Sequence, residues 1–299
     1  MSNEFTFICP CLFGVEGILK KEISDLGLKC SAQDGRVKFF GSFADGARVN
    51  VWSRCAERVL LEVGEFEART FDELFEKTKA LNFEDFLPKD AEFPVKGYSL
   101  NSKLFSVSDC QAIIKKAVVE RLKKTYKTDW FKEDGAKYQI SFSIMKDRVS
   151  VAIDMTGEAL HKRGYRPLSV TAPLRETLAA AMVYLSRPRF DIPFLDPMCG
   201  SGTIAIEAAM MLSNTAPGLK RAFSSDEWNN FENKTCKLIK EEANSLIKKD
   251  EFSVRALDID EKAVGLTKSN AKKAGVEKYI AAQVLDVAHF KTDIQNGTP

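Results

Sequence analysis

The stretch Asp196-Pro-Met-Cys-Gly-Ser-Gly-Thr203 gathers the residue types in this chain best suited to chemistry. A carboxylate stands four residues ahead of the first of two glycines, Gly200 and Gly202. Glycines so spaced let the backbone turn sharply and let a ligand approach with no Cβ in the way. The apolar run Ile204–Leu212 that follows reads as a helix, whose N-terminus presents free N–H groups and partial positive charge. Three ligands compete for such a turn. A nucleoside triphosphate loop needs lysine directly after its last glycine, and none follows here. A dinucleotide fits the looser pattern Gly200-x-Gly202-x-x-Ala205, but an acid four residues before the first glycine is atypical for it. S-adenosylmethionine carries an ammonium, a carboxylate and a sulfonium, and an acid beside the turn suits it.

Two further carboxylates complete the pattern. Ser253–Leu257 reads as a strand ending in Asp258-Ile-Asp260, and Ala281–Leu285 as a strand ending at Asp286. Asp196 would serve the methionine end of the cofactor. Asp258 would hold the ribose hydroxyls, as the acid after the second strand does in nucleotide sites. Asp286 would accept from the adenine amino group. Singly, Asp258 or Asp286 would read as a turn cap; three acids at consecutive strand ends, one before a double-glycine turn, point to a cofactor. Cys199 and Ser201 lie within the turn and are counted with its lining. Cys199 reads as a small residue tolerated in a tight loop, not as a nucleophile.

The elements that must position these residues follow from periodicity. Phe194–Leu195, the Gly turn, Ile204–Leu212, Ser253–Leu257, the helix Glu261–Ala274 stopped by Gly275, and Ala281–Leu285 alternate β-α-β-α-β, which specifies a doubly wound parallel sheet. Residues 213–250 form an insertion with a Lys/Glu-rich helix at about 230–249. Thr171–Ser186 reads as a helix with Thr171 as cap and Pro173 in its first turn. The amino-terminal part reads as α+β: a strand Phe5–Cys9, a helix Val15–Leu26, a strand Arg36–Phe40, a strand signal around Val51–Glu65 carried by the alternating Val59, Leu61 and Val63, and a helix Phe71–Lys79. A longer helix Cys110–Lys127 follows, then a hairpin of Tyr138–Met145 and Val149–Met155 turning at Lys146-Asp147.

Net charge is +2, but unevenly placed. Residues 1–155 balance 24 basic against 24 acidic side chains, and residues 190–299 carry 14 against 16. Residues 156–189 carry six against two. Such a block suits a polyanion-facing surface, which nominates Lys162, Arg163 and Arg166. A second candidate is Lys116, Lys123, Lys124 and Lys127, spaced to share one face of the Cys110–Lys127 helix. The alternative for both is a solvated face.

At 299 residues, 44% hydrophobic and 29% charged, the composition excludes fibrous and disordered chains. No apolar run approaches the roughly 20 residues that span a bilayer, and the first ten residues do not read as a signal peptide. Seven scattered cysteines without a C-x-x-C, and two histidines, support neither a disulfide framework nor a zinc site. The expectation is a cytoplasmic protein without metal or membrane partner.

The motifs together resemble one family. Leu195-Asp-Pro-Met-Cys-Gly-Ser-Gly-Thr-Ile-Ala-Ile-Glu-Ala-Ala209 is similar to the cofactor motif of THUMP-containing class I methyltransferases. More narrowly it resembles the bacterial 23S rRNA guanine-N2 methyltransferases, often labelled adenine-specific DNA methylases. Gly14-Val-Glu-Gly-Ile-Leu-Lys-Lys-Glu22, Leu160-His-Lys-Arg-Gly-Tyr-Arg-Pro167 with Ala172–Ala180, and Ala256-Leu-Asp-Ile-Asp260 resemble further stretches of that family. The resemblance implies a ferredoxin-like segment over 1–60, a THUMP RNA-binding domain over 61–160 and a Rossmann-like methyltransferase domain over 161–299. It implies S-adenosylmethionine as cofactor, RNA as partner, and methylation of a guanine N2 amine, in 23S rRNA first and tRNA as the alternative. A non-catalytic RNA-binding module is the rival of a different class, and DNA adenine methylation a weaker one. The family's (Asn/Asp)-Pro-Pro-(Tyr/Phe) substrate motif does not occur in the sequence. The expectation is therefore a chain that stops within its catalytic domain. Its catalytic residues would lie beyond Pro299, it would bind cofactor weakly, and it would not turn over.

Overall fold

The computed structural model describes residues 4–166, 173–229, 231 and 235–290. The chain forms two compact units: Met1–Leu160 with Ala222–Lys240, and His161–Arg221 with Glu241–Pro299.

The first unit is built on one sheet. In chain order its elements are β1 (Phe5–Pro10), α1 (Glu16–Asp25), β2 (Cys30–Gln33), β3 (Arg36–Gly41), α2 (Phe43–Trp52), β4 (Leu60–Glu67), α3 (Phe71–Lys79), β5 (Val95–Leu100), α4 (Val107–Tyr126), β6 (Ile140–Met145) and β7 (Arg148–Asp154). The strands pair in the order β2-β3-β1-β4-β7-β6-β5. The first four strands have the β-α-β-β-α-β connectivity and order of a ferredoxin-like fold. Antiparallel pairing of β4 with β7 extends that sheet into the three later strands, of which β5 runs parallel to β6. Period-2 burial is clearest on β6. Ile140, Phe142 and Ile144 are buried, and Ser141, Ser143 and Met145 between them are half-exposed. The buried face carries Phe7 stacked on Phe39 at 4.8 Å, with α2 against it. The opposite face is mixed, with Ile8, Leu60 and Ala152 beside Lys38, Ser141 and Ser143.

Local signals explain most boundaries. Thr70 caps α3 by accepting from the Glu73 amide at 3.2 Å, with Asp72 and Glu73 in the first turn and Lys77 and Lys79 in the last. The β6–β7 turn holds Lys146 and Asp147 both at positive φ, as two-residue hairpins require. Helix α2, absent from the sequence reading, carries a capping box of Ser42 and Asp45. Gly46 in its middle weakens the helical signal, yet a Cβ there would stand 2.5 Å from the Phe7 ring. The helix needs the gap to sit on the sheet.

The second unit holds α5 (Glu176–Ser186), β8 (Phe194–Asp196), α6 (Thr203–Leu212), β9 (Val254–Asp258), α8 (Glu261–Ala274) and β10 (Ile280–Val284). Its three strands are parallel, in the order β10-β9-β8. The helices bury small residues against them: Ala205, Ala209 and Ala271 join Val254, Ala256, Val264 and Val276 in one core. Asp260 caps α8 and Gly275 ends it. The helix expected from Thr171 begins at Glu176, with Arg175 in the N-cap position. Thr171 lies outside the described residues, as do Pro167 and 291–299.

Helix α7 (Thr235–Ser245) is the helix expected in the insertion, and is shorter than expected. Much of the insertion folds with the first unit. Trp228 is fully buried there, stacked on Tyr138 at 4.6 Å, with its Nε1 donating to the Lys137 carbonyl at 2.9 Å. Phe231 stacks on Phe43 at 4.1 Å.

Among the described residues no helix is long and apolar enough to cross a membrane, and no cluster of three His, Cys, Asp or Glu is placed to hold a metal ion. All seven cysteines are free thiols.

Candidate cofactor site

Asp196, Asp258 and Asp286 stand at or just after the carboxyl ends of three adjacent parallel strands, where open α/β sheets bind ligands. The turn after β8 is tied to β9 by the Cys199 amide donating to the Leu257 carbonyl at 2.7 Å. Gly200 and Gly202 have φ of +55° and +83°, and a Cβ on Gly202 would lie 2.7 Å from the Thr267 side chain. Thr267 itself donates to the Gly200 carbonyl at 3.0 Å. The turn therefore fits closely against α8 and leaves its outer side to a ligand.

The three acids differ. Asp196 is 6% exposed, and its Oδ2 is buried without a hydrogen-bond partner. Burial pushes its carboxyl pKa up, amides of Met198 and Ala205 pull it down, and Asp258 raises it further. Asp258 accepts the Gly200 amide on Oδ2 at 2.8 Å and the Asp260 amide on Oδ1 at 2.9 Å. It thus braces the glycine turn while each oxygen keeps a lone pair. Asp286 caps the following 3-10 turn, accepting from the Ala288 amide at 2.9 Å, and remains half-exposed.

Cys199 and Ser201 in the turn are buried. Cys199 packs in the core of the unit with its Sγ 3.5 Å from Thr267 Oγ1, and burial pushes its thiol up to about 11. It is a neutral thiol at ordinary pH. Ser201 is buried, and its carbonyl accepts from Asn270 Nδ2 at 3.0 Å. Neither side chain is presented to the loops' open side.

Sequence reasoning missed the apolar members of these loops. Met198 and Ile259 are 75% and 71% exposed, and Val287 is exposed too. Each lies within two residues of one of the acids. The signal available in the sequence was an apolar residue held between two acids, Asp258-Ile-Asp260. Exposed apolar side chains beside carboxylates suit a ligand that is flat and apolar on its faces and polar at its edges, as a purine is.

Two of the expected RNA contacts require correction. Arg163 is 4% exposed, and its Nε donates to Glu207 Oε1 at 3.4 Å, an oxygen that also accepts from Tyr165 at 3.1 Å. Arg166 donates through Nη1 to Thr203 Oγ1 at 2.7 Å and to the Leu174 carbonyl at 2.9 Å, and pairs through Nη2 with Glu176 at 2.9 Å. Arg166 holds α5 and the first residue of α6 together, while Arg163 is held by Glu207 within α6; a charge count cannot separate buried cations from exposed ones. Lys162 is exposed. On α4, Lys116 and Lys124 are exposed and Lys123 is half-exposed beside Glu120 at 3.2 Å, while Lys127 is the exposed left-handed C-cap just past the helix.

Comparison with known proteins bears on this arrangement. The methyltransferase domain described as RMKL-like (UPF0020) matches residues 163–298. The RlmL ferredoxin-like domain matches 6–60, and the THUMP domain 68–154. A Bacillus subtilis (strain 168) protein, "Putative RNA methyltransferase YpsC", is 43% identical over 99% of this chain and 77% of its own length. The chain belongs to the RMKL-like methyltransferase family. A structure from Listeria monocytogenes described as "a predicted N6-adenine-specific DNA methylase" superposes with a TM-score of 0.94 at 44% identity, over 97% of this chain and 77% of that one. The structure of SMU.472, described as "a putative methyltransferase complexed with SAH", superposes at 0.93 with 38% identity, over 99% and 79%. The ferredoxin-like segment, the THUMP domain and the methyltransferase domain read from the sequence are thus those of the family.

The residues present fit S-adenosylmethionine on this chain's own geometry. A buried carboxylate oxygen lacks a donor, two positive-φ glycines open the turn, and no side chain at Gly202 caps the N-terminus of α6.

Proposed function

We propose that this protein is an S-adenosylmethionine-dependent RNA methyltransferase acting on a guanine N2 amine, with 23S rRNA as the substrate. The observation that carries the cofactor assignment is the unsatisfied Oδ2 of Asp196, buried beside the glycine turn. A buried carboxylate oxygen without a donor is costly, and the ammonium of the methionine moiety supplies one. Asp258 would accept from the ribose hydroxyls on its remaining lone pairs, and Asp286 from the adenine amine, with Ile259 and Val287 beside the purine. The N-terminus of α6 would face the methionine carboxylate. The cofactor, when bound, supplies an electrophilic methyl group.

An exocyclic guanine amine is a poor nucleophile, because its lone pair is delocalised into the ring. The protein's share is therefore positioning and hydrogen bonding rather than a strong base. A paired target base must first leave its stack, at a cost of a few kcal/mol. The THUMP match over residues 68–154 and the name of the Bacillus subtilis relative support RNA as the partner. Seven free thiols and no disulfide suit a reducing cytoplasm.

The test is nucleoside mass spectrometry of 23S rRNA, tRNA and DNA from cells with and without the gene. Loss of N2-methylguanosine at one 23S rRNA position is expected. Loss confined to tRNA would move the substrate, and loss of N6-methyladenine in DNA would overturn the reading. Calorimetry with S-adenosylhomocysteine tests the cofactor assignment separately.

A further inference from the structure

The face of the seven-stranded sheet opposite Phe7 and Phe39 carries a cleft of about 350 Å3 that the cofactor chemistry does not use. It lies within the first unit. That volume is at the low end of the ~300–1,000 Å3 typical of small-ligand sites. The sheet curls around it: Arg36 on β3 reaches Met145 Sδ on β6 at 2.8 Å, although β1, β4 and β7 lie between those strands. The floor is apolar, with Ile8 and Leu60 from β1 and β4. Ser141 and Ser143 line it with hydroxyls, and Tyr98 on β5 stands 45% exposed at its side.

The charges decide what fits. Nearby cations are mostly neutralised by carboxylates. Lys38 pairs with Glu62 and Glu65 at 2.7 Å each, Arg148 with Glu65 at 2.6 Å, and Arg58 with Asp154. Arg36 and Lys96, both lining the cleft, have no carboxylate within ion-pairing distance among the described residues. The cleft thus offers two uncompensated cations, an exposed aromatic ring, hydroxyls and an apolar floor. Glu57 also lines it, which disfavours a bare anion and suits the amino edge of a base.

We propose that this cleft binds one unstacked nucleotide of single-stranded RNA. Arg36 and Lys96 hold its flanking phosphates, Tyr98 stacks on its base, and the hydroxyls of Ser141 and Ser143 meet its polar edge. Aromatic stacking with cationic tracking of the backbone is the general chemistry of single-strand recognition. Duplex RNA keeps its bases stacked and offers none to the ring. The inference rests on the reading of RNA as substrate, and moves the recognition surface from the lysines of α4 to the open face of the sheet.

The experiment uses the full chain and a fluorescein-labelled ten-nucleotide single-stranded RNA, followed by fluorescence anisotropy over a salt series. Circular dichroism melting checks that each variant folds. Arg36→Gln/Lys96→Gln should weaken binding at least tenfold. It should also reduce the slope of log affinity against log salt by about 1.4, two phosphates at ~0.7 each. Tyr98→Ala should lose roughly 5- to 150-fold, and Tyr98→Phe should bind as the parent does. Lys123→Gln/Lys124→Gln, with the same charge change on α4, should lose less than threefold. A 4-thiouridine oligonucleotide should photocrosslink the unsubstituted chain within Val95–Leu100, which settles the matter if a variant fails to fold. Parent-like binding by both cleft variants, or a crosslink confined to α4, overturns the inference and leaves the RNA reading intact. No RNA binding by the unsubstituted chain overturns both.

Discussion

Asp196 is a carboxylate held in a place that penalises its charge. Burial raises its pKa, so it takes up a proton at a higher pH than an exposed aspartate does. Only the ionised form pairs with an ammonium. Cofactor affinity should therefore fall as pH falls through this raised pKa, measurable by calorimetry with S-adenosylhomocysteine over a series of falling pH. Asp196→Asn should weaken binding by about 10- to 150-fold, the worth of a charged hydrogen bond at ~1.5–3 kcal/mol, and should flatten that pH dependence. The stability sign is opposite. The folded state binds this proton more tightly than the unfolded state, so acid favours folding at this one residue. Asp196→Asn should leave the melting temperature unchanged or raise it. Glu207 is the contrasting case. It lies fully buried against Arg163, whose charge is stabilised by it. Glu207→Leu removes the carboxylate to which both Arg163 and Tyr165 donate and should cost about 3–5 kcal/mol in denaturant unfolding.

At the scale of elements, the glycine turn and α8 act together. Gly202→Ala places an L-residue at φ +83° and drives its Cβ into Thr267, which holds the Gly200 carbonyl. The backbone term alone is about 1–2 kcal/mol. Because Thr267 must move, cofactor affinity should fall more than tenfold. Thr267→Ala in the same chain should relieve the contact but not the backbone conformation, so rescue should be partial. Gly265 gives the control. It lies in the exposed interior of α8 with nothing within 4 Å of an added Cβ, and Gly265→Ala should stabilise by about 0.5–1 kcal/mol with unchanged cofactor affinity. Thermal unfolding and calorimetry on the three variants separate strain from helix propensity.

At the scale of the whole chain, sequence order and structural membership part company. Residues Ala222–Lys240 follow α6 of the methyltransferase unit but fold with the amino-terminal one. Trp228 is the anchor, surrounded by Tyr138, Phe43 and Phe231. Trp228→Ala should cost about 3–5 kcal/mol, and hydrogen exchange should show the loss in β6 and its neighbours. Affinity for S-adenosylhomocysteine should stay close to the parent value. A chain of residues 1–160 alone would expose the aromatic seat and should bind a hydrophobic dye that the full chain does not.

The cofactor turn, the three acids and the parallel alternation were legible because each depends on local rules. Glycine permits positive φ, acids stand where strands end, and apolar spacing marks the helices. The hairpin at Lys146-Asp147 and the helix Phe71–Lys79 were legible for the same reason. Three elements escaped. β2 is a short edge strand, β5 carries Gly97 and Ser99, and α2 hides behind Gly46, whose missing side chain makes sense only against Phe7. The fates of individual charges escaped as well. Arg163 and Arg166 look like Lys162 in a charge count, and only packing buries two of them against Glu207 and Glu176. The cleft formed by Arg36, Lys96 and Tyr98 draws on strands far apart in sequence, brought together by the curl of one sheet. The sequence by itself determined the family, the turn and the local elements. Tertiary structure decided which cations are left uncompensated, because burial and pairing depend on neighbours that sequence separation does not reveal.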